Sequence, residues 1–231
     1  MSKIKHVFLD LDDTIFDFHA SEAVALSKTF LEVGLQPTPE ILRDYSEINR
    51  SVWAMLERGE ATRADILTRR FKILFEKYNR HDVSPDKVQA IYERTLSGEW
   101  CWFSGGEELL KALYGKYKLY IASNGTAVVQ DGRIALSGIA KYFDGIFISQ
   151  RIGYDKPSRE FFEGCFKQIP DFSRKEAIIL GDSLGSDILG GKNAGILTCY
   201  FNPHNRPGRD DVKADFEISS LNEFPALLSG I

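Results

Sequence analysis

The sequence has only 3 cysteines in 231 residues, Cys101, Cys165 and Cys199, an odd number, widely spaced among apolar neighbours. That leaves no disulfide framework and no zinc-ligand spacing, so all three read as reduced, buried packing residues. No apolar run approaches the roughly 18 residues a membrane-spanning helix needs. There is also no apolar signal region: the opening MSKIKH leads straight into what reads as a strand, so a cytoplasmic protein with no membrane partner is expected. Positive charge is not in surplus. With 29 basic against 33 acidic residues, a net charge of -4 and no basic run, polymeric nucleic acid is not an expected partner. Repeats and low-complexity tracts are missing too. A hydrophobic fraction of 43% and a charged fraction of 27% then describe an ordinary globular chain, long enough for one large domain or for a core with an inserted unit.

What is present is an alternation of short apolar runs with helical patterns. Runs suited to buried parallel strands occupy residues 6–12, 118–124, 145–150, 177–183 and 197–202, with a weaker one at 216–219. This predicts an α/β fold, a doubly wound, Rossmann-like parallel sheet covered on both faces. The alternation lapses between residues 20 and 98, where helical patterns follow one another without a strand. Thr38-Pro39 is an N-cap with proline at N1, and Ile41, Tyr45, Ile48, Val52 and Met55 recur at helical spacing. Thr62 with Asp65 has the form of a capping box, Ser84-Pro85 opens a further helix, and Gly34, Gly59 and Gly98 are expected stops. Successive amphipathic helices make a small bundle. The expected organisation is a core segment at 1–17, a helical insertion at 18–100 and the resumed core at 101–231.

Three aspartates, Asp10, Asp12 and Asp13, crowd the end of the first apolar run in VFLDLDDT. Other runs end in, or lead to, polar groups: Ser123-Asn124-Gly125, Lys156-Pro157, and Gly181-Asp182-Ser183 with Asp187 beyond. In a parallel α/β sheet the ligand crevice lies at the carboxyl ends of the strands, so these groups converge there. Clustered carboxylates repel one another and resist ionising unless a cation joins them. An all-oxygen donor set suits Mg²⁺, which keeps a place for a phosphate oxygen, and a lysine and a hydroxyl suit the remaining phosphate charge. Residues i and i+2 of an extended strand face one way, so Asp10 and Asp12 can address one substrate, while Asp13 reads as a turn or capping residue.

DLDDT at 10–14, SNG at 123–125, DKP at 155–157 and GDSLGSD at 181–187 together resemble the four motifs of the haloacid dehalogenase-like (HAD) hydrolase superfamily, in that family's order. The helical insertion after the first motif resembles the family's C1 cap. Further likeness to the pyrimidine 5'-nucleotidase branch lies in DLDDTIFDF, in INRSVWAMLERGEATRADILTRRF at 48–71, in SNGTAVVQDGRI at 123–134 and in GDSLGSDILGGKNAGILTCYFNP at 181–203.

The resemblance implies a Mg²⁺-dependent phosphomonoesterase for nucleoside 5'-monophosphates, a monomer or weak homodimer, working through an aspartyl-phosphate. Asp10 would be the nucleophile and a metal ligand. Asp12 would be the general acid and base, its backbone carbonyl also on the metal. Thr14 would support this loop on the substrate side, and Ser123 and the Asn124 backbone would hold phosphoryl oxygens. Lys156 would offset charge on Asp10 and the phosphate. Asp182 would be the third ligand, with Asp187 behind it or as an alternative ligand.

Other readings compete with this one. A phosphatase for sugar or acylneuraminate phosphates would share every motif. A dehalogenase needs neither Asp12 nor Asp182, and a phosphorylated receiver module has no place for acids after the lysine. In the insertion, Trp53 with Arg50, Arg69 and Arg70 could hold a nucleobase or sugar, or belong to the bundle core and its solvated face. Phe16, Phe18 and His19 could line the pocket mouth or pack the exit from the core.

Overall fold

The computed structural model describes residues 3–231; Met1 and Ser2, the start of the expected core segment 1–17, lie outside the described residues. Six strands form one sheet: β1 (His6–Leu9), β2 (Lys118–Ser123), β3 (Gly145–Ile148), β4 (Ala177–Gly181), β5 (Leu197–Phe201) and β6 (Phe216–Ile218). Every pairing is parallel, in the order β3-β2-β1-β4-β5-β6. This is the doubly wound order, and its direction reverses beside β1, which places a ligand crevice at the ends of β1 and β4. Each strand falls within its expected apolar run; β1 stops before its aspartates, while β2 and β4 run to Ser123 and Gly181, the first residues of their tips.

Alternation along the strands feeds two cores. Val7, Leu9, Leu119, Ile121, Ile178 and Leu180 pack to one side. Phe8, Tyr120, Ala122, Ala177 and Ile179 pack to the other. Between β1 and β2 run four helices, α1 (Phe18–Glu32), α2 (Pro39–Glu57), α3 (Arg63–Lys77) and α4 (Pro85–Leu96), followed by α5 (Gly106–Leu113). The remaining helices are α6 (Ala127–Ser137), α7 (Ser149–Ile152), α8 (Arg159–Phe166), α9 (Leu189–Ala194) and α10 (Phe224–Gly230). Leu109, Leu110, Leu113, Ile134 and Leu228 cover the first face of the sheet. Phe161, Phe162, Cys165 and Ala194 cover the second.

Helices α1–α4 enclose their own apolar core of Leu26, Phe30, Ile41, Tyr45, Phe71, Leu74, Val88 and Tyr92, which reaches the rest of the chain through Val129 of α6. The cap signals act as expected at Thr38, whose Oγ1 accepts from Ile41 N, and at Thr62, which forms the full capping box with Asp65. Ser84 is an N-cap without a side-chain bond. Gly34 and Gly59 take positive φ after their helices, whereas Gly98 does not.

The chain leaves and re-enters the sheet side by side. Phe16 bridges to Trp102, Asp17 N donates to Cys101 O at 2.9 Å, and Phe103 N donates to Ile15 O at 2.9 Å. Phe16, Trp100 and Trp102 pack around this neck with ring centres 5.5 Å apart, Trp102 edge-on to the other two. Cys165 and Cys199 are buried as expected, but Cys101 is exposed. Its place on the paired neck rather than in a helix or sheet face explains the difference: the neck uses its backbone and leaves its side chain outside.

Candidate active site

Past β1, Asp10 N still donates to Leu180 O at 2.9 Å, so the first aspartate keeps register with the end of β4. Leu11 turns into the core, while Asp10 and Asp12 line one cavity of about 240 Å³ between the sheet and the bundle. Asp13 has φ +55° and its Oδ1 accepts from the backbone N–H of Phe18 (3.0 Å) and His19 (3.4 Å), capping the start of α1. That local role satisfies otherwise unpaired helix donors.

Lys156 is 1% exposed, and its ammonium donates to Asp10 Oδ1, Asp187 Oδ1 and Ala122 O, each at 2.6 Å. Burial alone would lower its pKa; the two carboxylates outweigh that and hold it above the usual lysine value. The Asn124 amide fixes the Lys156 backbone from both sides, donating to Lys156 O at 2.8 Å and accepting from Lys156 N at 2.9 Å. Asp187 is fully buried, its second oxygen accepting from Ser183 N at 3.0 Å. Only glycine fits at 181, because a Cβ there would lie 2.3 Å from the Asp187 carboxylate.

Asp10, Asp182 and Asp187 offer oxygens within 4.8 Å of one another. Burial pushes Asp10 up to about 8, with Lys156 pulling down and Asp187 and Asp12 pushing further up. Burial and then the charges of Asp13, Asp10 and Asp187 push Asp182 well above the usual carboxylate range, and Arg206, 3.6 Å away, offsets only part. One ammonium therefore does not balance these acids, and their hard oxygen donors fit a divalent cation such as Mg²⁺.

Ser123 Oγ accepts from Gly125 N at 3.0 Å and from Gln130 Nε2 at 2.9 Å. Gln130 Nε2 also donates to Asp12 Oδ2 at 2.6 Å, and Arg133 donates to the other Asp12 oxygen. Arg133 is 0% exposed; its Nε and Nη2 have no hydrogen-bond partner among the described residues, and its guanidinium lies over Phe16 and Phe18 instead. Neither Gln130 nor Arg133 was singled out from the sequence. Their spacing of three on the helix that follows Ser123 is the signal that would have found them.

Thr14 is fully buried, does not line the cavity, and its hydroxyl has no partner among the described residues. Of the four residues weighed in the insertion, Trp53 and Arg70 line the cavity, Arg50 is exposed at an adjoining opening, and Arg69 is exposed away from it. Phe18 lines the cavity, Phe16 packs in the neck, and exposed His19 sits 3.4 Å from Asp13.

Beside the cavity, Arg63 and Glu57 reach from the bundle to the loops below it. Arg63 donates to Asn124 O (2.6 Å), to Ser149 Oγ (2.5 Å) and to Asp155, with its guanidinium 5.6 Å from the Trp53 ring centre. Glu57 accepts from Ser183 Oγ at 3.0 Å. Further into the bundle, Glu22, Asn49, Arg70, Gln89 and Tyr92 form a buried polar network.

A family model described as haloacid dehalogenase-like hydrolase matches residues 4–195. The chain is 34% identical over 229 residues to the HAD-hydrolase YfnB of Bacillus subtilis (strain 168), covering 99% of this chain and 97% of YfnB. A crystal structure of YfnB bound to magnesium, described as revealing interdomain movement, superposes with a TM-score of 0.93 over 97% of this chain and 98% of that one. Two relatives bear the name pyrimidine 5'-nucleotidase. PynA of Streptococcus pneumoniae (strain ATCC BAA-255 / R6) is 34% identical over 95% of this chain and 92% of its own. YjjG of Escherichia coli (strain K12) is 31% identical over 96% of each.

Proposed function

The chain belongs to the haloacid dehalogenase-like hydrolases, and from there we propose that it removes phosphate from pyrimidine nucleoside 5'-monophosphates. One observation carries the reading: a single cavity has a charged floor of Asp10, Asp12, Ser123 and Lys156 and a wall of Phe18, Trp53, Asn49 and Arg70. The floor suits a phosphate and the wall suits a flat, polar-edged ring. The names of PynA and YjjG support that substrate class.

In this reading a carboxylate oxygen of Asp10 attacks phosphorus and the bond to the nucleoside 5'-oxygen breaks. Asp12 gives that oxygen its proton, then accepts one from the water that attacks the aspartyl-phosphate and restores Asp10. Ser123 and the backbone beside it hold phosphoryl oxygens, and Lys156 offsets charge on Asp10 and the phosphate. Asp10, Asp182 and the Asp12 backbone carbonyl would hold Mg²⁺, with Asp187 either completing the set or acting through Lys156 and Ser183. When bound, Mg²⁺ supplies the positive charge these acids lack and polarises the phosphoryl group.

Residues 18–100 act as a cap over the core formed by 1–17 and 101–231. Arg63 and Glu57 hold the cap down and exclude water while phosphorus is transferred.

The test is a panel of phosphorylated metabolites given to wild type and Asp10→Asn, with Mg²⁺ and with a chelator. Nucleoside monophosphates, uridine 5'-monophosphate among them, are expected to be cleaved fastest, only with the metal and only by wild type. Equal rates on ribose 5-phosphate or an acylneuraminate phosphate would remove the nucleotidase reading; an active Asp10→Asn would remove the mechanism.

A further inference from the structure

Within the largely apolar bundle core, side chains from all four helices form a hydrogen-bonded network. Glu22 Oε1 accepts from Asn49 Nδ2 (2.8 Å) and from the Tyr92 hydroxyl (3.2 Å), while Ser46 Oγ donates to Glu22 Oε2 (3.3 Å). Arg70 Nη1 donates to Asn49 Oδ1 (2.8 Å) and Arg70 Nη2 to Gln89 Oε1 (2.9 Å). Burial raises Glu22 to about 7, with Arg70 pulling the other way. A buried acid and a buried base held apart by an amide are a poor way to stabilise a bundle, because well-packed apolar residues of similar volume serve as well or better. The network therefore calls for another purpose, and its position suggests one. Asn49, Arg70 and Tyr92 line the same cavity as Asp10 and Lys156, and Trp53 and Phe18 line it too.

Building on the nucleotidase reading, we propose that Asn49 is the residue that reads the pyrimidine ring, its amide locked in one orientation by Glu22 and Arg70. An amide has two N–H donors and two carbonyl lone pairs. Asn49 spends one of each inside the network, and, 5% exposed, it lines the cavity and the opening that adjoins it beside Ser46 and Arg50, where one donor and one acceptor are left to serve a ligand. A flipped amide would set its N–H groups against the Arg70 guanidinium, which stays charged and has only donors, and its carbonyl against Glu22 wherever that carboxyl is ionised, so Arg70 fixes the orientation. The amide therefore presents a fixed donor beside a fixed acceptor. Uracil and thymine offer an adjacent carbonyl and N3–H; cytosine offers N3 and its amino group. Each matches a donor-acceptor pair with two hydrogen bonds. A base-free sugar phosphate offers nothing at that point and leaves the amide unpaired, which is a strong basis for rejection.

The test compares wild type, Asn49→Ala and Asn49→Ser, each saturated with Mg²⁺, on uridine 5'-monophosphate and ribose 5-phosphate. The ratio of kcat/KM for the nucleotide over that for the sugar phosphate is expected to fall about 10- to 100-fold in both variants. An unchanged ratio in variants that still cleave either ester overturns the assignment. Uridine alone, titrated into the same proteins, supplies a readout without turnover, and its affinity is expected to weaken about tenfold or more. Equal uridine binding by wild type and variants overturns the assignment whatever the kinetics. If wild type shows no preference for the nucleotide, the nucleotidase reading fails on its own, and the uridine titration still decides Asn49.

Discussion

Asp12 and Ser123, far apart in the sequence, share one amide: Gln130 Nε2 donates to Asp12 Oδ2 at 2.6 Å and to Ser123 Oγ at 2.9 Å. The proposed proton-transfer group, Asp12, and the proposed phosphate-holding Ser123 are thus fixed relative to each other. Gln130→Ala is expected to lower kcat about 10²-fold with little change in KM, since a misplaced acid fails in the transition state rather than in binding. Steady-state kinetics on a nucleoside monophosphate checks this; a loss confined to KM would assign Gln130 to substrate binding.

Lys156 is the buried countercharge of Asp10 and Asp187. Lys156→Met leaves the buried Asp187 carboxylate without it, and Asp10 wherever that group is ionised, and is expected to cost about 3–5 kcal/mol of stability in the metal-free protein. Chemical denaturation of the two proteins side by side measures this, and Mg²⁺ is expected to recover part of the loss.

In the metal-free protein, burial raises Asp10 to about 8, whereas in an unfolded chain an aspartate titrates near ~4. The folded state therefore holds an extra proton between those values. Stability from this group is present below pH ~4 and declines as pH rises towards about 8. Thermal midpoints of chelated protein should fall across that window, and the increase produced by Mg²⁺ should grow with pH. A flat profile that Asp10→Asn does not alter would contradict this.

Arg63 ties the helical unit to Asn124, Ser149 and Asp155 at once. Arg63→Ala is expected to lower kcat/KM for a nucleoside monophosphate by about tenfold, the scale of a modest misplacement of reacting groups. A small ester such as p-nitrophenyl phosphate, which needs less of the wall above the site, should suffer less. Equal losses on both would show that Arg63 acts on the loops at Asn124 and Asp155 rather than on the proposed closure.

The sequence was most informative where one segment decides its own structure. Strand runs ended at their polar tips, Thr38 and Thr62 capped their helices, and Asp13 took a local capping role. The four motif tips met because the winding order of the sheet brings strand ends together. What escaped depends on packing between segments. Glu22, Asn49, Arg70 and Tyr92 come from four helices, and nothing in any one helix reveals that the others complete its polar partners. Cys101 departs from expectation for a similar reason: its apolar neighbours predict burial, but the paired neck presents them on one side and the thiol on the other.

That neck, where Phe16 meets Trp102 and Asp17 meets Cys101, brings the two ends of the helical unit to within one hydrogen bond of each other. A segment whose ends already touch can be lengthened, shortened or exchanged without moving the strands on either side. The fold thus separates inheritance of a reaction from inheritance of a preference. New helices grafted between Asp17 and Cys101 would meet an unaltered floor of Asp10, Asp12, Ser123 and Lys156, and change in one unit need not be matched by change in the other.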